Sequence, residues 1–266
     1  MGARHFGHRT GGTLIHHSHL MPFMRSLSAL ELIDLWEDGF HRPPFWRALE
    51  LLTVSCPEMS RESLAQLTIG QRDAWLLALR ERLWGSGMAA VEHCPSCRER
   101  LEIPLETGAL MSMANAEFPE EISVQAGDFT LTFRLPNSGD LLVAAEEEPE
   151  DRQNTILERC LLTAEIGEEL RDLSGLPEET VAELVERMAE ADPLADIQLA
   201  LTCPACRHQW RANFDIVSFL LTEIEAWAWR ALTDVHTLAR AYGWSERAIL
   251  SLSPARRQFY LEMVGA

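Results

Sequence analysis

The sequence predicts a mostly helical α+β fold with a small β unit at its middle. Three observations carry that prediction. Stretches before residue 87 and after residue 216 set apolar side chains at helical spacing between recognisable caps. Stretches beside residues 94–97 and 203–206 alternate apolar and polar side chains with the period of a strand. Two Cys-Pro-x-Cys hooks, "CPSC" and "CPAC", occupy those two positions.

Residues 1–25 read as a disordered leader. Five His lie in it (His5, His8, His16, His17, His19), and the apolar centre of a signal peptide is missing. Metal capture by these His is the competing reading. Residues 26–87 read as an N-terminal helical region. Ser28 and Glu31 form a capping box for a helix that Gly39 stops, and Pro43-Pro44 opens a second one ending near Cys56. Thr68 and Gln71 cap a third helix, "IGQRDAWLLALRERLW", with Trp75, Leu76, Leu79 and Leu83 as its apolar stripe and Gly85 as its stop.

Around the first hook Leu101, Ile103 and Leu105 share one face with Arg100 and Glu102 opposite. Around the second, Ile197, Leu199 and Leu201 precede it and Trp210, Ala212 and Phe214 follow. Residues 88–106 and 195–216 are therefore expected to be the two halves of one β unit. Residues 107–194 form an inserted acidic α/β subdomain. In it "EISVQAGDFTLTFRLP" reads as a hairpin turning at Ala126-Gly127-Asp128, and "SGDLLVAAEEE", "DRQNTILERCLLTA" and "LPEETVAELVERMAEAD" read as three helices. Residues 217–266 form a C-terminal helical region: one long helix closed at Gly243, a short one capped by Ser245, and a last one opened by Ser253-Pro254.

The hooks carry the chemistry. Two Cys separated by two residues present both sulfurs to one metal, while the turn between them turns backbone N–H groups toward the thiolates. Structural Zn²⁺ takes four such ligands, and Cys94, Cys97, Cys203 and Cys206 supply four. The expected site is a split zinc ribbon holding one structural Zn²⁺, its two knuckles separated by 105 residues. Closing a loop of that size costs about 4–5 kcal/mol, against roughly 10–16 kcal/mol of apparent zinc affinity, so the separation is no obstacle. Disulfides within each hook are disfavoured in a reducing compartment. A thioredoxin-type redox pair needs a helix starting at the hook, where strand-like alternation follows instead. A catalytic zinc would keep one position open. His93 and His208 are then exposed neighbours of the turns, and Cys56 and Cys160 are small buried apolar groups.

Composition narrows the partners. Forty-one acidic residues against 23 basic ones, all Arg, give −18, and residues 140–192 alone hold 17 Asp/Glu and 4 Arg. Such a chain repels phosphate backbones, which disfavours nucleic acid despite Arg247, Arg256 and Arg257 near the C-terminus. No run of 18 apolar residues exists to span a membrane. With no signal peptide, the expected location is the cytoplasm. No nucleophile elbow, phosphate loop, His-Glu-x-x-His run or dinucleotide fingerprint is present, so the expectation is a protein without catalytic residues. Trp227 and Trp229, two apart on one helix, cannot share a face, which makes one of them a candidate partner contact.

The "LTIGQRDAWLLALRERLWG" helix, the first hook, the acidic insert, "CPACRHQW…FDI" and the closing "VHTLARAYGWSERAILSLSPARRQFYLEMV" together resemble the baseplate hub assembly chaperone family of T-even-type bacteriophages. More specifically, they resemble its relatives encoded with contractile phage-tail-like injection systems. The resemblance covers about residues 45–264. It implies a non-enzymatic accessory protein that binds a hub, spike or baseplate component while a tail-like particle is built. The alternatives left open are a metallo- or redox enzyme using the Cys pairs and a nucleic-acid-binding zinc ribbon.

Overall fold

The computed structural model describes residues 23–114, 119–167, 169–170 and 172–265. The leader's five His lie outside them. Packing begins earlier than the expected boundary at residue 26: Met24 is buried in the main core, and the Arg25 N–H donates to the Ser55 carbonyl.

The chain opens with four helices, α1 (Ala29–Asp38), α2 (Pro44–Ser55), α3 (Arg61–Ala65) and α4 (Ile69–Trp84). Both expected capping boxes form, Ser28 with Glu31 and Thr68 with Gln71. Gly85 leaves α4 at φ +90°, a value that favours glycine, whereas Gly39 ends α1 in ordinary right-handed geometry. The first hook follows on a hairpin, β1 (Gly87–His93) with β2 (Arg100–Glu106), and a short α5 (Thr107–Met111) closes it.

The insert is built on β3 (Ile122–Ala126), β4 (Phe129–Phe133), α6 (Ser138–Ala144), α7 (Arg152–Cys160), β5 (Leu161–Ile166), β6 (Glu169–Leu170), a 3-10 turn at Leu173–Gly175 and α8 (Glu178–Ala191). The expected β3–β4 hairpin is present, with Gly127 at φ +59° in its turn. One expectation fails. "DRQNTILERCLLTA" is helical only to Cys160; Leu161 onward is a strand that pairs with β4, Leu131 opposite Ala164, and extends the hairpin into an antiparallel sheet in the order β3-β4-β5-β6. Short apolar runs fit either period. Here a strand about 30 residues upstream provides unpaired backbone groups, and ladder formation satisfies both segments.

The second hook follows on β7 (Ile197–Thr202) and β8 (Gln209–Phe214), and three helices complete the chain: α9 (Ile216–Tyr242), α10 (Glu246–Leu250) and α11 (Pro254–Gly265). Asp215 caps α9, and Gly243 ends it at φ +69°.

Two hydrophobic clusters result. The larger joins α1, α2, α4 and α9 through Ile33, Leu49, Leu52, Leu76, Leu79, Leu220 and Ile224, each at most 3% exposed. At about 1.5–3 kcal/mol for each fully buried side chain, these contacts dominate what holds the helices together. Among the described residues the smaller cluster draws on 122–191, with Phe133, Leu131 and Leu184 at its centre.

The two clusters meet at the start of α4. Ile69 donates its N–H to the Pro136 carbonyl, Asn137 donates to the Gln66 side chain, and the Gly70 N–H donates to Asp192 Oδ2 at 2.9 Å. Asp192, at the end of α8, is 1% exposed and places a carboxylate at the positive end of the α4 dipole. A methyl group on Gly70 would lie 1.7 Å from Asp192 Oδ1, so only glycine admits this approach. The stripe expected on α4 is accordingly too narrow. Gln71, Arg72, Asp73 and Arg80 are buried as well as Trp75, Leu76 and Leu79, while Leu83 is only half-buried. Arg72 and Asp73 pair at 2.7 Å. Burial pushes the Asp73 carboxyl up to about 6 even though the Arg72 guanidinium pulls it the other way.

Candidate metal centre

Each hook is the tip of a hairpin, and the two tips are built alike. In the first, the Cys94 N–H donates to the Glu99 carbonyl and the Arg98 N–H to the Cys94 carbonyl; in the second, Cys203 bonds to His208 and Arg207 to Cys203 in the same way. The residue after the second Cys is left-handed in both, Arg98 at φ +61° and Arg207 at φ +64°. Non-glycine residues pay about 1–2 kcal/mol for that conformation. It persists where the surroundings over-determine it, as functional turns do.

The topology brings all four expected ligands together. Their sulfurs lie within 4.8 Å of one another. Two close approaches cross between the hairpins: Cys94 Sγ to Cys206 Sγ and Cys97 Sγ to Cys203 Sγ, both 3.6 Å. The first Cys of each hook is buried and the second exposed, so the cluster has approximate twofold symmetry. A tetrahedron with Zn–S bonds near 2.3 Å has edges of about 3.8 Å, which these separations match. The four sulfurs are thus close enough to bind one metal ion. They also influence one another's ionisation. Against a backbone N–H at Glu99 that pulls it down, hydrogen bonds to Cys206, Cys203 and Cys94 push the Cys97 thiol up to about 12. Burial raises the Cys94 thiol, but backbone N–H groups of Cys97 and Ser96 outweigh it and bring that thiol to about 7. Four thiolates at this spacing need a cation to ionise together.

His93 and His208 are exposed and stand outside the cluster. Cys56 and Cys160 are buried on other elements and are not members of the cluster, and burial raises both thiols, Cys160 to about 12. Cys160 is more than an apolar filler, for it sits 3.7 Å from Arg134 Nη1 and 3.9 Å from Asp140, whose carboxylate is paired with Arg134 and Arg159.

The hairpins form separate two-stranded sheets, so their relative position is set at their feet and at the cysteine cluster. Arg80, on α4 and 4% exposed, is the main anchor of the first foot. It donates to the Gly85 and Gly87 carbonyls at 2.6 and 2.7 Å and pairs with Glu223 of α9 at 2.9 Å. Glu81 accepts from the hydroxyl of Thr107, the first residue of α5 just after β2. The second hairpin enters the core through Ile197 and Phe214. Neither brace was legible in the sequence, where Arg80 and Glu81 fall outside the apolar stripe of α4. A charged residue buried by a distant chain segment leaves no periodic signal.

The family model described as "T4 bacteriophage base plate protein" matches residues 48–221, which include α4, both hooks and the insert between them. The chain belongs to this base plate family. No curated protein and no solved structure matches it. The base plate match stops inside α9, so Trp229 and the closing "AYGWSERAILSLSPARRQFYLEM" lie beyond it. Family membership supports a base plate-associated structural or assembly role. In base plate terms, the Gly70–Asp192 contact and the Arg80 brace are what the "IGQRDAWLLALR" stretch does in this chain: it joins insert, hairpin and long helix.

Proposed function

We propose that this chain is a non-enzymatic assembly factor, acting as a chaperone or structural accessory in the bacterial cytoplasm. It binds a hub, spike or base plate component of a contractile phage-tail-like particle. The observation that carries this reading is the base plate family match across residues 48–221, the part of the chain held together by α4 and the two hooks. In the same reading Cys94, Cys97, Cys203 and Cys206 hold one structural Zn²⁺ as a split zinc ribbon, interrupted by the acidic insert. Four sulfurs close the coordination shell, so the metal braces the fold and leaves no position for a substrate. The acidic insert supports a protein partner over nucleic acid, because it adds to phosphate repulsion.

Co-expression with the hub, spike and base plate proteins of the same particle, followed by affinity capture of the full chain, tests the proposal. Stoichiometric co-purification with at least one of them is expected. Failure to associate with any tail component would sink it.

A further inference from the structure

Helix α11 lies outside the family match and presents a face that nothing among the described residues covers. Only Arg257 among its residues is buried. Arg257 pairs with Asp234 of α9 at 3.5 Å, and Tyr260 packs edge-on against Trp244 at 4.9 Å and Tyr242 at 5.8 Å. These contacts fix the rotation of the helix and turn Ala255, Arg256, Phe259, Glu262 and Met263 outward, all exposed. Their spacing is that of one helical stripe. Phe259 is 59% exposed and Met263 60%, unusual for side chains of this size on a helix already docked along its other face.

We infer that this stripe binds a second copy of the same chain, through antiparallel α11 helices related by a twofold axis at Phe259. A twofold interface requires a surface complementary to itself, and the stripe is. With Phe259 against its own copy, Arg256, three residues before it, faces Glu262, three residues after. Ala255, four before, faces Met263, four after. Opposite charges meet, and the longest apolar side chain meets the smallest. A shallow groove lined by Ala255, Arg256, Phe259 and Tyr260 already lies where that Met would enter.

Charge argues for the same place. Two copies at −18 repel each other over most of their surface. Residues 221–266, with five acidic and five basic side chains, are neutral and permit close approach. Size sets the strength. Twelve residues of helix span about 18 Å, too little by itself for the roughly 800 Å² per partner of a standard interface. An interface of this kind gives a weak, micromolar dimer.

Sedimentation equilibrium of the full chain, carried to about 50 µM, tests this. The wild type is expected to dimerise, and the exposed substitution Phe259→Glu to remain monomeric with an unchanged melting temperature. Arg256→Glu and Glu262→Arg each place like charges together twice per dimer, and should each weaken the dimer about tenfold. Combining them restores opposite charges and should bring the affinity back. A wild type that stays monomeric, or a dimer indifferent to all three single substitutions, overturns the inference, and so does failure of the double variant to recover. A monomer that captures a base plate protein through Phe259 also overturns it, while leaving the assembly-factor reading intact.

Discussion

Replacing Gly70 by alanine offers a test of how the insert is fastened to the rest of the molecule. Alanine is the better helix former by up to about 1 kcal/mol, so helix propensity alone forecasts a gain. The tertiary contact forecasts the reverse. All three atoms nearest to the new methyl belong to Asp192, at 1.7, 2.7 and 3.1 Å. The carboxylate must move, and it then loses the 2.9 Å hydrogen bond from the Gly70 N–H while still buried. A lost buried bond to a charged group costs about 1.5–3 kcal/mol, and overpacking adds about 1–3. Net destabilisation of about 2–5 kcal/mol follows, or roughly 4–10 °C in melting temperature for a chain of this length. Urea unfolding of Gly70→Ala in the wild-type and Asp192→Ala backgrounds separates the two effects. With Asp192 truncated, the methyl meets no carboxylate, and Gly70→Ala should become neutral or stabilising. An equal cost in both backgrounds, with coupling below about 0.5 kcal/mol, would refute the claim that this contact is what demands glycine.

Two further perturbations address the hooks and the N-terminal cap. Cys97→Ser should reduce bound zinc from about one per chain to a fraction of that and lower the unfolding temperature, whereas Cys56→Ser should leave the metal content unchanged; elemental analysis decides, and a metal-free wild type would overturn the ligand assignment. The Glu31 carboxyl is held down at about 2, against 4.5 when free, chiefly by the Arg25 guanidinium and then by Ser28. A depressed carboxyl stabilises the fold above its free value, and that contribution is lost as the pH falls from about 4.5 toward 2. The stability difference between wild type and Glu31→Gln should therefore shrink across that window, and a difference that stays constant would refute the assignment.

Capping boxes, helix stops and the alternation beside the hooks were legible because each depends on residues a few positions apart. Ser28 with Glu31, Thr68 with Gln71 and Gly243 after Tyr242 form as the local pattern demands. The cluster of Cys94, Cys97, Cys203 and Cys206 was legible for a different reason. Tetrahedral thiolate chemistry requires four sulfurs, and each hook supplies two at a spacing one turn can present. Trp229 emerged as the exposed member of its pair because residues two apart on a helix point to different faces.

What the sequence by itself determined is thus most of the local structures, the four cysteines that cluster and the base plate affiliation. Tertiary structure decided the rest. It made Leu161–Ile166 a strand, because the backbone groups of β4 stood open to receive it. It buried Arg72, Asp73 and Arg80 on a helix whose apolar stripe does not include them, because the insert and the first hairpin close over that helix from elsewhere in the chain. It also gave Gly70 its reason, in a carboxylate 122 residues away. Periodicity records only which way a side chain points from its own element. What it meets there depends on chain segments that no local pattern describes.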